Sequence, residues 1–284
     1  MTLPRRTRTY ELALHHPGIV VGAIILFCIA FLALFGPLIS PYTYSATELT
    51  LKNLPPSWQH IFGTDDLGRD VFVRVCFGLR ISFVIGLIAA IIDLCLGMTW
   101  GMVAGFCGGS IDHIMMRCAD LVYSLPYLLF VILVTTVLGP GFIPIIAAMV
   151  MIGWIQMARI VRAQVLQIKE QEFISAAVAL GVSRRRIIIR HIFPNIAGPM
   201  IAAMMLTIPH AILTEGFLSF LGIGIQPPLA SLGSMVSDAI PAMRFYPWRL
   251  FFPAGMITML IFAFNLIGDG LRDLLDPQTR VQFE

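Results

Sequence analysis

Two acidic residues lie inside long apolar stretches of the chain. Asp93 lies midway along one stretch, and Glu215 lies in another beside Pro209 and His210. A carboxylate in lipid is costly, so it usually faces a cavity or a polar partner, and a solute or ion pathway would use its charge there. For Asp93, a pathway role and a structural hydrogen bond to a neighbouring helix both remain open. For Glu215 we predict a pathway role, because Pro199 and Pro209 loosen the same helix.

The hydrophilic segment 161–195 carries an apolar stripe that could bind another protein. Phe173, Ala176, Ala177 and Leu180 recur at i, i+3, i+4 and i+7, which places them on one face of a helix. The central residues are small, so the surface of another protein could approach closely. An amphipathic helix that rests on anionic lipid shows the same spacing. The spacing alone leaves both interpretations open.

The same segment contains the signals of two short helices with a bend between them. Glu172 lies at the start of the first helix, where the helix dipole favours an acid. Gly181 follows the stripe and suits a left-handed cap at the helix end. Ser183 can cap a second helix, which contains four arginines between 184 and 190 and which Pro194 is predicted to end.

The sequence contains no pattern of residues that indicates catalysis or metal binding. Its two lysines, Lys52 and Lys169, do not follow a glycine as in a phosphate-binding loop, so we predict no ATP hydrolysis by that route. The histidines lack the H-E-x-x-H spacing, the cysteines form no C-x-x-C pair, and no G-x-S-x-G motif occurs. The basic triplet at 184–186 is too small to indicate nucleic-acid binding. We therefore predict no enzyme, no metal site, no catalytic residue and no cofactor bound by this chain.

Three aspartates in the hydrophilic segment 40–80 could bind a cation or pair with arginines. Loops that bind divalent cations concentrate oxygen ligands without competing positive charges. Three arginines lie in the same segment, so we predict ion pairs. The residues are Asp65, Asp66, Asp70, Arg69, Arg74 and Arg80.

The composition predicts that these segments are positioned by membrane-spanning helices. Hydrophobic residues make up 58% of the 284 residues and charged residues only 12%, which is too apolar for a water-soluble domain. A helix needs about 20 apolar residues to cross a bilayer. Six stretches come close to that length: 18–39, 81–105, 121–138, 142–160, 196–220 and 250–267. We therefore predict an all-α integral membrane bundle with six transmembrane helices.

The basic residues predict how this bundle is oriented. If both termini lie in the cytoplasm, 13 of the 19 lysines and arginines fall on the cytoplasmic side, as the positive-inside rule requires. The arginines at 69, 74 and 80 are external exceptions. The first apolar stretch is longer than the core of a signal peptide, which has about 7–15 residues, so we predict that it is retained.

Several motifs in this order resemble the permeases of ABC importers, in particular their peptide and nickel branch. Ser175-Ala-Ala177, Gly181 and Ile192-Phe-Pro194 resemble the E-A-A-x-x-x-G…L-P loop of these permeases. Ser175 stands where that motif has glutamate, although Glu172 lies on the same face. Other similar stretches are 60–82, 217–222 with Gln226-Pro227-Pro228, and 264–277; residues 155–162 leading into 172–174 are similar to C-type subunits of oligopeptide permeases.

The resemblance implies a type I ABC importer permease fold in the bacterial inner membrane. It implies that the chain forms half of the translocation pathway of a binding-protein-dependent oligopeptide importer. The implied partners are a second, B-type permease, two cytoplasmic ATPases that bind the ATP, an external peptide-binding protein and membrane lipid. The residues implied to couple to an ATPase are Glu172, Phe173, Ser175, Ala176, Ala177, Leu180 and Gly181.

Other functions remain open within and outside this family. The same machinery could carry dipeptides, nickel or antimicrobial peptides. A secondary transporter would need ion-coupling carboxylates or broken helices in repeated halves, and an intramembrane enzyme would need a nucleophile or a metal pair. We divide the chain into 1–79 (cytoplasmic N-terminus, first span and external loop), 80–277 (permease domain with the coupling loop 161–195) and 278–284 (cytoplasmic tail).

Overall fold

The computed structural model describes residues 16–275, which form helices and no β-strand within that range; the longest connection, 40–70, joins the first two helices. The predicted tail 278–284 and most of the basic N-terminus lie outside these residues. The all-α prediction is confirmed. The helices are α1 (Pro17–Ile39), α2 (Val71–Cys107), α3 (Gly109–Tyr123), α4 (Tyr127–Leu138), α5 (Phe142–Lys169), α6 (Glu172–Ala179), α7 (Arg184–Phe220), α8 (Leu232–Ala239) and α9 (Trp248–Leu275).

Within residues 16–275, five helices are long and apolar enough to cross a membrane. Helices α3 and α4 meet at 75° and add a sixth crossing if they form one broken span. The prediction of a continuous helix over 121–138 is therefore wrong at its start. Pro126 explains the break, because a proline disfavours helical backbone at the residue before it.

Helix α2 packs closely along α5 through glycines that repeat every fourth residue. A Cβ atom on Gly97 would lie 2.5 Å from the Cβ of Met157, and one on Gly101 would lie 2.4 Å from the carbonyl oxygen of Ala158. Gly105 extends the same face by another turn. Small residues allow helix backbones to approach where lipid supplies no hydrophobic drive for association. The α2–α5 pair is therefore in close backbone contact over at least two helical turns.

Helix α7 continues through a proline that was predicted to end it. The arginines at 184–186 form its first turn, a π turn follows at Ile188–Ile192, and the helix proceeds past Pro194 to Phe220. The second short helix predicted in the segment 161–195 is thus the beginning of α7. The widened π turn accommodates the proline ring, which would otherwise clash with the carbonyl group four residues earlier.

Arg80 on α2 compensates for a proline in α1. Pro37 has no N–H to donate to the carbonyl oxygen of Ala33, four residues earlier. The Nε of Arg80 donates to that oxygen at 2.5 Å, and its Nη2 donates to the carbonyl oxygen of Leu34 at 2.9 Å. The Arg80 guanidinium also lies 5.1 Å from the ring centre of Phe77. Arg80 therefore binds backbone carbonyl groups and does not form the predicted ion pair.

The ion pairing predicted for the α1–α2 connection is confirmed at Asp65. Its Oδ2 lies 2.6 Å from the Nε of Arg69 and 3.4 Å from the Nε of Arg74, and all three side chains are buried. Its Oδ1 accepts hydrogen bonds from the backbone N–H groups of Leu67 and Arg69, both at 2.9 Å. Buried charges need such pairing and hydrogen bonding to offset desolvation.

The other two aspartates of this connection have partners that the sequence spacing did not indicate. Asp66 pairs at 3.1 Å with Arg249, at the start of α9. Asp70 caps α2 by accepting from the N–H of Val73 at 2.9 Å, and its other oxygen lies 2.8 Å from His60 Nδ1. These contacts join residues 49–70 to α2 and α9 at one end of the bundle.

Candidate solute pathway and docking helix

A cavity of about 1930 Å³ runs along α7 and is also lined by α2, α4, α5 and α9, with Tyr123 of α3 and Phe173 of α6 at its edge. Its lining residues on α7 extend from Pro194 to Phe217, which is roughly 35 Å at 1.5 Å of rise per residue. The hydrocarbon core of a bilayer is about 30 Å thick. The cavity is therefore long enough to cross the membrane. Gln156, Leu213 and Phe217 are exposed along it, so this chain forms a wall and not a closed channel.

The cavity wall is rich in uncharged amide side chains, which the analysis of charged residues missed. Gln156, Gln164 and Gln167 lie on α5, and Gln171 lies in the turn between α5 and α6. The spacing of eight and three residues between Gln156, Gln164 and Gln167 places these three along one face of α5. This spacing was the available sequence signal. Asn195 and Asn265 add amides from α7 and α9.

Asp93 lies on the cavity wall and is only 4% exposed. Its Oδ1 is buried without a hydrogen-bond partner among the described residues. Gly153 of α5 lies directly against the carboxylate, since a Cβ atom there would lie 2.3 Å from Oδ2. Within residues 16–275, Asp93 makes no hydrogen bond to a neighbouring helix, which was one of the two interpretations. Its role in the pathway stays a prediction.

Glu215 is enclosed between helices and does not line the cavity. The residue is 0% exposed. Its Oε1 accepts from the hydroxyl of Ser219 at 2.7 Å, and its Oε2 accepts from the hydroxyl of Ser82 at 3.2 Å. The Ser82 hydroxyl in turn accepts from the backbone N–H of Leu232 at 3.3 Å. The prediction that placed Glu215 on the pathway is corrected, because α2, α7 and the start of α8 meet around its carboxylate.

Helix α6 forms where the apolar stripe was predicted, but the stripe is split between two faces. Ile174 and Ala177 are buried in a cluster with Ile187 and Ile192 of α7. Phe173, Ala176 and Leu180 are exposed, Leu180 at 83%. The prediction that Ala177 lies on the outer face is wrong. We call the outer face, formed by Glu172, Phe173, Ser175, Ala176 and Leu180, the exposed face of α6.

The end of α6 has the left-handed cap predicted at Gly181. The φ angle of Gly181 is +73°. The N–H of Gly181 donates to the carbonyl oxygen of Val178 at 3.0 Å, and that of Val182 donates to the carbonyl oxygen of Ala177 at 3.1 Å. These two bonds form a Schellman motif, which satisfies carbonyl groups at a helix end. Ser183 precedes α7, but its side chain makes no capping hydrogen bond.

The buried side of α6 is packed against the helices that form the cavity wall. Its cluster includes Val161 and Val165 of α5 and Ile196 and Met200 of α7. The buried side of α6 therefore belongs to the same apolar cluster as α5 and α7. A packed interface of this kind transmits displacement because protein interiors are dense and hardly compressible.

A salt bridge and a backbone contact hold α3, α2 and α5 together at the same end. Arg162 of α5 binds Asp112 of α3 through two hydrogen bonds, both of 2.6 Å. Lys169, the last residue of α5, donates to the carbonyl oxygen of Phe106 at 2.8 Å. Among residues 16–275, no three His, Cys, Asp or Glu side chains lie close enough to hold a metal ion.

Comparison with known proteins identifies the family. A family described as "Binding-protein-dependent transport system inner membrane component" matches residues 97–281, and one described as "N-terminal TM domain of oligopeptide transport permease C" matches residues 14–56. The chain is 54% identical to the oligopeptide transport system permease protein OppC of Bacillus subtilis, over 92% of this chain and 86% of that protein.

Two further relatives agree with that match. The dipeptide transport system permease protein DppC of Bacillus subtilis is 49% identical, over 97% of this chain and 85% of that protein. OppC of Escherichia coli K12 is 43% identical, over 94% of this chain and 89% of that protein. The resemblance stated from the sequence motifs is confirmed. The chain belongs to the family of binding-protein-dependent transport system inner membrane components, as a multi-pass permease subunit of the bacterial inner membrane.

Proposed function

We propose that the chain forms half of the translocation pathway of an ABC importer for oligopeptides. The cavity, which is long enough to cross the bilayer and has amide side chains among mostly apolar lining residues, carries this proposal. A peptide presents N–H and C=O groups along its whole length, and Gln and Asn side chains each offer both a donor and an acceptor. A mostly apolar wall with interspersed amides therefore suits peptides of many sequences. Such a wall also binds no single peptide tightly, and weak binding is needed for a solute to leave the pathway.

In this proposal three kinds of partner complete the importer. A second, B-type permease closes the exposed side of the cavity. Two cytoplasmic ATPases bind the ATP, and one of them docks on the exposed face of α6. An external peptide-binding protein delivers the substrate. The packing of α6 against α5 and α7 supports the ATPase contact, because it links that contact to the cavity wall.

Dipeptides are the second candidate substrate, since a relative at 49% identity is named for dipeptide transport. The two candidates differ in the peptide length that the complete importer accepts. We expect proteoliposomes with all five proteins to take up a pentapeptide in an ATP-dependent manner and to lose uptake when this chain is omitted. Uptake of dipeptides alone would support the second candidate, and ATP-independent uptake would contradict both. As a control, the purified chain without partners is expected not to hydrolyse ATP.

The proposal also places both termini and α6 in the cytoplasm, on the basis of the distribution of basic residues. We expect single cysteines at Ser57 and Gln226, which are exposed, to react with an impermeant thiol reagent added outside intact cells. A cysteine at the exposed Ser183 is expected to react only after the cells are opened. A cysteine-free background is required, because Cys28, Cys95, Cys107 and Cys118 are exposed. Labelling of position 183 from outside, but not of positions 57 and 226, would show that the chain has the opposite orientation.

A further inference from the structure

Asp93 differs in charge from the rest of the cavity wall. It is the only carboxylate among the described residues that line the cavity. Arg272 and His210 are the lining residues that can carry positive charge, and they lie on α9 and α7, whereas Asp93 lies on α2. The remaining polar lining residues are amides, hydroxyls and phenols. A cationic group in the cavity therefore meets a single negative charge on this chain.

The Asp93 carboxylate has no partner in the described part of the chain. Its Oδ1 is buried and makes no hydrogen bond, and the hydroxyl of Tyr127, another lining residue, is likewise buried and unpaired. Gly153 opposite Asp93 has no side chain, and any Cβ atom there would clash with both carboxylate oxygens. A buried carboxylate without a partner is costly, so a position that keeps one is commonly a binding site.

The donor set indicates which kind of cation fits. Calcium takes six to eight oxygen ligands, and zinc takes four ligands, typically His and Cys, whereas the described residues around Asp93 offer one carboxylate and one phenol. An ammonium or guanidinium group needs only one carboxylate, with which it forms a charge-assisted hydrogen bond. We propose that Asp93 binds the ammonium or guanidinium group of a peptide during its passage through the cavity. This inference rests on the proposed function, and it adds a charge-selective step to an otherwise unselective wall.

Comparing the uptake of differently charged peptides by the complete reconstituted importer tests this role. Three radiolabelled pentapeptides are compared. The first is N-acetylated pentaalanine, the second is pentaalanine with a free amino group, and the third is an N-acetylated peptide of four alanines and one lysine. We expect Asp93→Asn to lower initial uptake of the cationic peptides about tenfold relative to N-acetylated pentaalanine, because a hydrogen bond to a charged group is lost. The two cationic peptides distinguish an N-terminal ammonium from a side-chain ammonium.

Two further variants separate this role from a structural one. Gly153→Ala forces the carboxylate to move, so we expect it to reduce the same uptake ratio without changing any charge. Asp120→Asn removes a half-exposed carboxylate that pairs with Arg159 outside the cavity wall, and we expect it to leave the ratio unchanged. An unchanged ratio in Asp93→Asn, with the complex assembled and hydrolysing ATP, would overturn the inference. Failure of the wild-type complex to import any of the peptides would overturn the proposed function, and this inference with it.

Discussion

Replacing Ala176 with arginine is expected to abolish peptide uptake while the permease still reaches the membrane at its normal level. Ala176 lies on the exposed face of α6, between Phe173 and Leu180. If that face packs into a groove on an ATPase, the arginine buries an unpaired charge in the contact, which costs several kcal/mol. The measurement is peptide uptake by the complete importer, together with co-purification of the ATPases.

The alternative position of α6, resting on anionic lipid, predicts the opposite result. An arginine near anionic headgroups is favourable by about 1 kcal/mol, so uptake would persist. Ala46→Arg is a matched control, because Ala46 is exposed in the α1–α2 connection, which lies far along the chain from α6. Wild-type uptake by Ala176→Arg with the ATPases bound would refute docking on this face.

Ala177→Arg is expected to act differently from its neighbour. Ala177 is only 7% exposed and packs within the cluster that joins α6 to α5 and α7. A charge there damages the chain's own packing, so less folded protein should be recovered. The contrast between positions 176 and 177 separates a docking face from an internal one.

Replacing Arg80 with methionine is expected to lower the free energy of unfolding by about 2 kcal/mol, because the carbonyl oxygen of the buried Ala33 loses its donor. The Ala33 carbonyl oxygen has no helical donor, since residue 37 is proline, and lipid offers none. Methionine retains much of the apolar stem but donates no hydrogen bond. The measurement is unfolding of the purified chain in detergent, compared with wild type.

Pro37→Ala provides the matched test of this explanation. Alanine restores an N–H that can donate to Ala33, so the arginine becomes less necessary. We expect Arg80→Met to cost about 1 kcal/mol less in the Pro37→Ala background, which is a coupling typical of residues that share a partner. Equal costs in both backgrounds would show that Arg80 stabilises the chain by another route, such as its contact with Phe77.

The sequence alone was sufficient for the helical membrane fold, the family and the position of α6. Lipid imposes a length and a continuous apolar character on each crossing, so the spans are visible without knowledge of their neighbours. The left-handed cap at Gly181 was also predictable, because it depends on a local backbone conformation that glycine adopts readily. The ion pairs of Asp65 were also predictable, because its partners Arg69 and Arg74 lie within ten residues of it along the chain.

Only the tertiary structure decided which face of each helix is buried. Helix α6 is apolar on more than one side, with Phe173, Ile174, Ala176 and Ala177 all near its middle. The helical spacing therefore did not reveal that Ile174 and Ala177 are the buried pair. The continuation of α7 past Pro194 depended on a π turn, which no local residue preference indicated.

The two intramembrane carboxylates show the same limit. Asp93 and Glu215 are both acids within apolar helices, and the prolines near Glu215 pointed to the wrong one as the cavity residue. Ser82 lies 133 residues before Glu215 along the chain, yet its hydroxyl reaches the Glu215 carboxylate, while Asp93 faces a glycine and the cavity. Burial and hydrogen bonding between distant helices depend on how those helices pack, and a single helix pattern does not contain that information.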